Sequence, residues 1–303
     1  MKHVAIAYGY YKSRWIGHRT DDLFGLLSAS IAKNNADATK VGLLDMAVWI
    51  ENNKLRVTDL ANDKDLHDYD TLYLANWRKG PEFALAASQY MLRSGRRVVT
   101  GELSRYLPMS KLGELVYMSD KQIPLPRSLV MRTKHWKRAI SNKQNPPFDY
   151  PFIMKSISGS MGTNNYLVKN RKQLREILLA GMDELYVAQE FIPNDRDYRL
   201  IVMGGEVKIA IMRKRKNDDT HLNNTSAGAE GTLLQLDSVS SDMKELAVRA
   251  ADAVGRIEFA GVDIIVDTTN GDMYVLEVNK SPQIETGSNV DVKINAMAGY
   301  LAS

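Results

Sequence analysis

The stretch Gly261–Pro282, GVDIIVDTTNGDMYVLEVNKSP, reads as a hairpin with polar chemistry set into apolar strands. Its arms are Phe259–Val266 and Met273–Val278. Glu277 and Asn279 stand two apart, so on an extended strand their side chains share a face, and Asp263 lies on the partner arm. Two carboxylates and an amide oxygen on one face make a hard, all-oxygen site, which suits Mg²⁺ bridging phosphates rather than zinc. A strand edge carrying ordinary solvated acids is the structural alternative, and it sits badly beside the apolar run Val262–Val266. Register makes the metal reading testable. A two-residue turn at Asn270-Gly271 would set Asp263 against Val278, facing away from Glu277. A three-residue loop over Thr269–Gly271, with Gly271 in the left-handed position, pairs Asp263 with Glu277. The metal reading therefore expects an odd-residue loop or a bulge.

Upstream, Pro151–Gly162 (PFIMKSISGSMG) places Lys155 on an apolar strand, followed by a loop of small residues. One fixed cation plus mobile backbone N–H donors can hold triphosphate oxygens without a helix N-terminus. A Gly-Ser hairpin loop near a lysine is common, so this signal is weak alone. Val187-Ala-Gln189-Glu190-Phe191-Ile192 ends a strand at a crossing between sub-domains. Apolar positions there can sandwich a purine while backbone groups and a carboxylate address its amino edge. Asp197-Tyr-Arg199 opens another hairpin and Arg213 closes it, with His221-Leu-Asn223 beyond. An arginine near a phosphate neutralises charge that develops during transfer. Surface salt bridging explains any one of these; their order along the chain is the stronger signal.

The first hundred residues alternate strand and helix. Strands are expected at His3–Tyr8, Lys40–Leu44, Lys54–Thr58, Thr71–Ala75 and Arg97–Thr100, with helices at Asp21–Lys33 and Pro81–Arg93. That alternation predicts a parallel, helix-covered sheet. No G-x-G-x-x-G follows the first strand and no G-x-x-x-x-G-K-[ST] occurs, which argues against nicotinamide Rossmann and P-loop sites. Farther on, helices are expected at Ser110–Ser119, Arg171–Ala180 and Ser240–Val254. Further strands are expected at Phe152–Ser156, Asn165–Val168, Leu185–Phe191, Arg199–Met203 and Glu206–Met212, the last two joined by Gly204-Gly205.

Composition sets the outer bounds. The chain has 303 residues, 44% of them hydrophobic and 25% charged, and no cysteine. That length suits about two domains, and cysteine-free sequence has no disulfides, thiolate metal sites or cysteine nucleophiles. No apolar run approaches the roughly 18 residues of a membrane span, and nothing marks the start for secretion, so no membrane partner and a cytoplasmic location are expected. Net charge is +4, from 40 basic and 36 acidic residues. The basic residues gather at Arg132–Lys143 and at Arg213–Lys216 rather than on one concentrated face, so nucleic acid is not an expected partner. Tyr8–Tyr11, with Trp15 and His18, forms either a substrate-stacking surface or a cover for a domain junction.

The order of motifs is a lysine strand with a small-residue loop, then Q-E-F-I, D-x-R, strand-Arg, Asn, G-V-D and E-V-N-x-S-P. From Pro108 to Pro282 it resembles the ATP-grasp superfamily, and within it the RimK-like carboxylate–amine ligases. The resemblance implies an α/β (α+β) ATP-grasp fold: a parallel-sheet pre-ATP-grasp domain over 1–106, and sub-domains over 107–192 and 193–303 that grip ATP. It implies that Asp263, Glu277 and Asn279 bind Mg²⁺ (or Mn²⁺), two ions, with the ATP phosphates. Lys155 would contact the phosphates under a loop containing Ser158, Gly159, Ser160 and Gly162. Gln189, Glu190, Phe191 and Ile192 would meet the adenine, and Asp197 would sit near the ribose. Counting back from Leu125-Pro126 assigns the earlier ATP-contacting lysine to Lys111 rather than Lys121. Arg213 would act with Lys155 in catalysis, and Asn223 matches the asparagine of the family's R-S-N element.

The chain departs from that pattern at His221, Ser226, Ala227, Ser110 and Gln283, mostly on the acceptor side. Glutamylation of a ribosomal protein is therefore not carried over. The implied activity is amide or peptide bond formation through an acyl phosphate, with amino-acid and carboxylate or peptide substrates, in a chain that can form a homo-oligomer as this branch does. The alternatives are an ATP-binding regulatory or scaffold protein that has lost ligation, and an ATP-grasp enzyme making a phosphoester or thioester.

Overall fold

The computed structural model describes residues 1–9, 17–77, 79–99, 110–142, 145–157, 164–180, 185–214, 230–280, 282, 284 and 288–302. In chain order the first elements are β1 (Lys2–Tyr8), α1 (Gly17–Ala32), β2 (Ala36–Gly42), β3 (Met46–Glu51), β4 (Lys54–Asp59), β5 (Lys64–Asp65), β6 (Thr71–Asn76), α2 (Pro81–Arg93) and β7 (Arg97–Val99). Then come α3 (Lys111–Asp120), β8 (Ser128–Arg132), α4 (Thr133–Ser141), β9 (Phe152–Ser156), β10 (Asn165–Val168), α5 (Arg171–Ala180) and β11 (Leu185–Glu190). The last are β12 (Arg196–Met203), β13 (Glu206–Lys214), β14 (Glu230–Leu234), α6 (Ser241–Ala253), β15 (Phe259–Val266), β16 (Met273–Asn279) and α7 (Val290–Ala302). None of the described helices is long and apolar enough to cross a membrane.

The strands form three sheets. A four-stranded parallel sheet has the order β2-β1-β6-β7, as the strand–helix alternation predicts. A seven-stranded sheet, β10-β9-β11-β8-β3-β4-β5, draws its strands from both sides of residue 106. β3 is a strand the sequence reading did not anticipate, and it takes β4 out of the parallel sheet. Asn52 and Asn53 both adopt positive φ (50° and 57°), the two-residue turn that folds β3 back onto β4. The other edge of β3 then pairs with β8, Val48 opposite Val130. The strand expected at Lys40–Leu44 begins earlier, at Ala36, because the turn after α1 closes at Asn35 with φ 53°.

A five-stranded antiparallel sheet, β14-β13-β12-β15-β16, completes the fold. Gly204 and Gly205 join β12 to β13 with φ of 57° and 78°, the conformation expected of that turn. One face of this sheet packs Leu200, Val202, Val262, Ile264, Val275 and Val278 against Met243, Leu246, Ala247 and Ala250 of α6. The same apolar core continues through Leu112, Leu115 and Val116 of α3 to Val130 and Val187 of the seven-stranded sheet. Burying each large aliphatic side chain contributes about 1.5–3 kcal/mol, so α3 is a wedge that fixes one sheet against the other. The outer face of the seven-stranded sheet is covered by α4 and α5 through Trp136, Leu174 and Leu178. α7, also absent from the sequence reading, covers Ile201, Met203, Ile209 and Ile211 on the second face of the five-stranded sheet.

Gly261 shows how tightly the last hairpin is held. A Cβ there would lie 2.4 Å from Cβ of Pro282, so the glycine of G-V-D admits the proline of N-K-S-P. Gly261→Ala is expected to destabilise the chain by about 1–3 kcal/mol through overpacking. Gly25→Ala, in α1 with nothing within 4 Å of the new methyl, is expected to stabilise it by about 0.5–1 kcal/mol. Urea unfolding of the two variants checks the pair of opposite signs.

Candidate active site between two sheets

The terminal hairpin closes through Asp267 and Asp272, whose backbone N–H and C=O bond at 2.8 Å around Thr268–Gly271, with Gly271 at φ 82°. The loop is therefore even, and of the two arrangements the metal reading expects, an odd-residue loop or a bulge, the bulge is the one present. From the turn, Val266 faces Met273, Ile265 faces Tyr274 and Ile264 faces Val275; then the register shifts, and Asp263 faces Glu277 while Gly261 faces Asn279. Leu276 is the extra residue of a β-bulge. Its consequence is chemical. Without it, Glu277 would share a face with the fully buried Val275 and enter the apolar core against α6. With it, Glu277 and Asn279 turn to the face of Asp263.

On that face, β12 and β13 add charge of both signs. Arg199 lies opposite Asp263 and Arg213 lies opposite Asp197. Arg199 grips Asp263 with two donors, Nε to Oδ1 at 2.8 Å and a terminal nitrogen to Oδ2 at 2.7 Å. Arg213 grips Asp197 in the same way at 2.6 and 2.9 Å, and reaches Asp263 Oδ2 at 3.1 Å. Arg213, Asp197 and Asp263 are only 3, 5 and 4% exposed. Buried charges at this depth persist only when paired and hydrogen-bonded. Burial pushes the Asp197 carboxyl up to about 6 despite Arg213. Burial would also raise Asp263, but Arg213 and Arg199 together reverse that and hold it well below the usual carboxylate range. Asp197 is thus the proton-accepting member of the pair, and Asp263 is the fixed anion.

The seven-stranded sheet and α3 supply the facing cations. Lys155 on β9 lies opposite Val187 of β11. Burial pushes its ammonium pKa down, Glu277 and Asp263 hold it up, and Lys111 adds to the fall. Lys155 thus shares an electrostatic environment with Glu277, Lys111, Asp263 and Glu114. Lys111 opens α3, whose N-cap Ser110 accepts a hydrogen bond from Gly113 N–H, and Lys111 Nζ donates to the Ile157 carbonyl at 3.4 Å. Lys121 is the C-cap of the same helix, some 15 Å away at 1.5 Å per residue. Glu114, three residues from Lys111 and hence on a neighbouring helical position, accepts from Arg256 at 2.7 Å.

The strand at the sheet crossing behaves differently from the sequence reading. Gln189 is buried and donates to Ser128 Oγ at 2.8 Å. Glu190 is held by Arg127, whose backbone N–H and Nε reach its two carboxylate oxygens at 2.8 and 2.6 Å. Both side chains are thus tied to Ser128 and Arg127. Phe191 is half-buried and Ile192 buried. Ser158, Gly159, Ser160, Gly162 and Asn223 lie outside the described residues, as do His221, Ser226, Trp15 and Tyr10–Tyr11.

Among the described residues no group of three or more His, Cys, Asp or Glu side chains forms a metal cage. Two carboxylates with an amide do converge: Asn279 Nδ2 lies 3.1 Å from Glu277 Oε1 and 3.4 Å from Asp263 Oδ2. This donor set fits Mg²⁺, which takes one or two carboxylates and completes its octahedron with phosphate oxygens and water. Arg199 is the site residue that sequence reasoning left without a role. Its signal was the D-x-R spacing, which puts Asp197 and Arg199 on one face of a strand.

A family model described as the RimK-like ATP-grasp domain matches residues 110–303. The α-aminoadipate–LysW ligase LysX of Sulfurisphaera tokodaii is 27% identical over 190 residues, which are 60% of this chain and 62% of that protein. The chain thus spans less than two thirds of the length of this relative. The coenzyme γ-F420-2:α-L-glutamate ligase of Methanocaldococcus jannaschii is 26% identical over 258 residues, 81% of this chain and 83% of its own. A solved RimK domain ATP-grasp protein from Sphaerobacter thermophilus, 18% identical, superposes with a TM-score of 0.45 over 98% of each chain, too loosely to bear on function.

The charge network carries a pH signature. Asp197 binds its proton more tightly folded, at about 6, than at its ordinary 3.8. The associated stability is present near pH 4 and is lost as pH rises through 6. Asp197→Asn should remove that loss, on the order of 2 kcal/mol, and urea midpoints from pH 4 to 7 should flatten. Parallel pH profiles for variant and wild type would contradict the assignment.

Proposed function

Because the chain belongs to the RimK-like ATP-grasp family, we propose that it is an ATP-dependent carboxylate–amine ligase, joining an amino acid to a peptide, protein or small carboxylate in the cytoplasm. The observation that carries this reading is the meeting of Lys155 from one sheet and Lys111 from α3 with Asp263, Glu277, Asn279, Arg199 and Arg213 from the other sheet. Lysines on one wall and a carboxylate–amide set braced by arginines on the other suit a triphosphate and its metal better than either wall alone.

Lys155 and Lys111 hold the phosphates, and the partial burial of Lys155 strengthens its attraction to them. Asp263, Glu277 and Asn279 would hold two Mg²⁺ ions, which offset the repulsion between a substrate carboxylate and the γ-phosphate. The adenine lies against the main chain of Glu190, Phe191 and Ile192, with the ribose near Asp197. The substrate carboxylate oxygen attacks the γ-phosphorus, the bond to the β–γ bridging oxygen breaks, and ADP leaves an acyl phosphate. Arg213 steadies charge on the transferring group. The amine nitrogen then attacks the acyl carbon, phosphate departs with the C–O electron pair, and the amine gives up a proton. Arg213 faces the oxyanion of that step, and Arg199, by fixing Asp263, holds the opposite side of the site still.

Phosphate release from Mg-ATP across a matrix of amino acids, short peptides and hydroxylamine tests the proposal. Release should depend on a carboxylate, yield a hydroxamate with hydroxylamine, and fall about 100-fold or more in Glu277→Ala. Tight ATP binding with no release for any carboxylate would favour an ATP-binding scaffold instead.

A further inference from the structure

Resting on the nucleotide–metal reading above, we propose that Arg256 and Glu114 form a positioning pair that sets the metal-binding strand for its ligands. Neither residue belongs to the motifs that carry the family resemblance, and they stand 142 positions apart in the chain. β16 is an edge strand of its sheet, so the backbone groups on its outer side need partners from elsewhere. It has two. Val275 N–H donates to the Pro124 carbonyl at 2.9 Å, in the segment that follows α3. The carbonyl of Val278, the residue between Glu277 and Asn279, accepts from Arg256.

The same guanidinium nitrogen of Arg256 donates to Glu114 Oε1 at 2.7 Å. Arg256 and Glu114 side chains are 13 and 15% exposed, so the pair is largely out of water. Arg256 is itself fixed: it follows Gly255, whose φ of 67° ends α6, and its N–H bonds the Ala251 carbonyl at 2.8 Å. One guanidinium thus ties the end of α6, the helix that begins with Lys111, and the peptide between two metal-site residues.

Glu114 also lies near Glu277. Burial raises the Glu114 pKa, Arg256 opposes the rise, and Glu277 adds to it. Without Arg256 the buried Glu114 carboxylate would lose its guanidinium partner and the Val278 carbonyl its donor. Both effects would displace Glu277 and Asn279 from a common metal. Side chains that orient metal ligands typically change affinity by about 10–100-fold when removed.

Isothermal titration of ADP with and without Mg²⁺ reads this directly, through the ratio of the two dissociation constants. Arg256→Met should lower the metal-dependent tightening about 10-fold and leave the metal-free affinity within about twofold. Arg256→Lys, which keeps a donor, should lie between. Thermal unfolding of the same samples separates positioning from folding. Adding Glu114→Gln to Arg256→Met removes the unpaired buried carboxylate and should recover stability, while the Val278 carbonyl still lacks its donor and the metal effect stays reduced. A metal effect equal to wild type in Arg256→Met, or one that returns together with stability in the double variant, would overturn the proposal. Wild-type protein whose ADP affinity ignores Mg²⁺ would overturn the ligase reading, and this pair's role with it.

Discussion

A strand that must carry a carboxylate and an amide into a polar site while its neighbours stay in an apolar core faces a parity constraint. Side chains alternate, and an even spacing from Val275 would send Glu277 into the core with it. The bulge at Leu276 resolves the conflict by inserting one residue between the two requirements. Val275 and Val278 remain buried against α6, and Glu277 and Asn279 reach the other face. Most of the site depends on that single shift, because Asp263 has its partners on β12 and β13 already and needs only Glu277 to turn toward it.

Given that face, charge determines its order. Asp263 sits between two guanidinium groups and is held ionised; Asp197 shares one of them, and burial raises its carboxyl pKa to about 6. Two carboxylates in one desolvated network thus differ in their affinity for a proton, the usual way a fold separates anionic from proton-holding roles. The opposite wall repeats the pattern with Lys155 and Lys111, whose mutual repulsion is offset by Glu277, Asp263 and Glu114. α3 joins the walls, with apolar residues on one side and Lys111 and Glu114 on the other. A helix that packs both sheets fixes their spacing and supplies charged groups between them.

The parts of this arrangement written in short-range pattern were readable in the sequence. Period-two alternation places Lys155 on β9 and Asp263 and Glu277 on the last hairpin, and Gly204-Gly205 announces its own turn. What depends on distant partners was not. β3 is a plain apolar strand, and only its pairing with β8 moves β4 out of the parallel sheet. Gln189 and Glu190 carry no sign that Ser128 and Arg127 will take their side chains. The metal reading requires an odd-residue loop or a bulge in the last hairpin; the structure uses an even loop and the bulge, whose position inside the strand no glycine marks. Arg256 and Glu114 have no local signature at all, since each is an ordinary charged residue until the fold brings them together.

The central claim is that Asp263, Glu277 and Asn279 share a face because of the bulge, and that this face meets Lys155 across a nucleotide. A crystal structure with Mg²⁺ and a non-hydrolysable ATP analogue tests it most directly. The account predicts metal density bounded by oxygens of Asp263, Glu277 and Asn279, with phosphate oxygens within reach of Lys155. Glu277 packed on the Val275 side of the strand, or a nucleotide bound away from these residues, would contradict it.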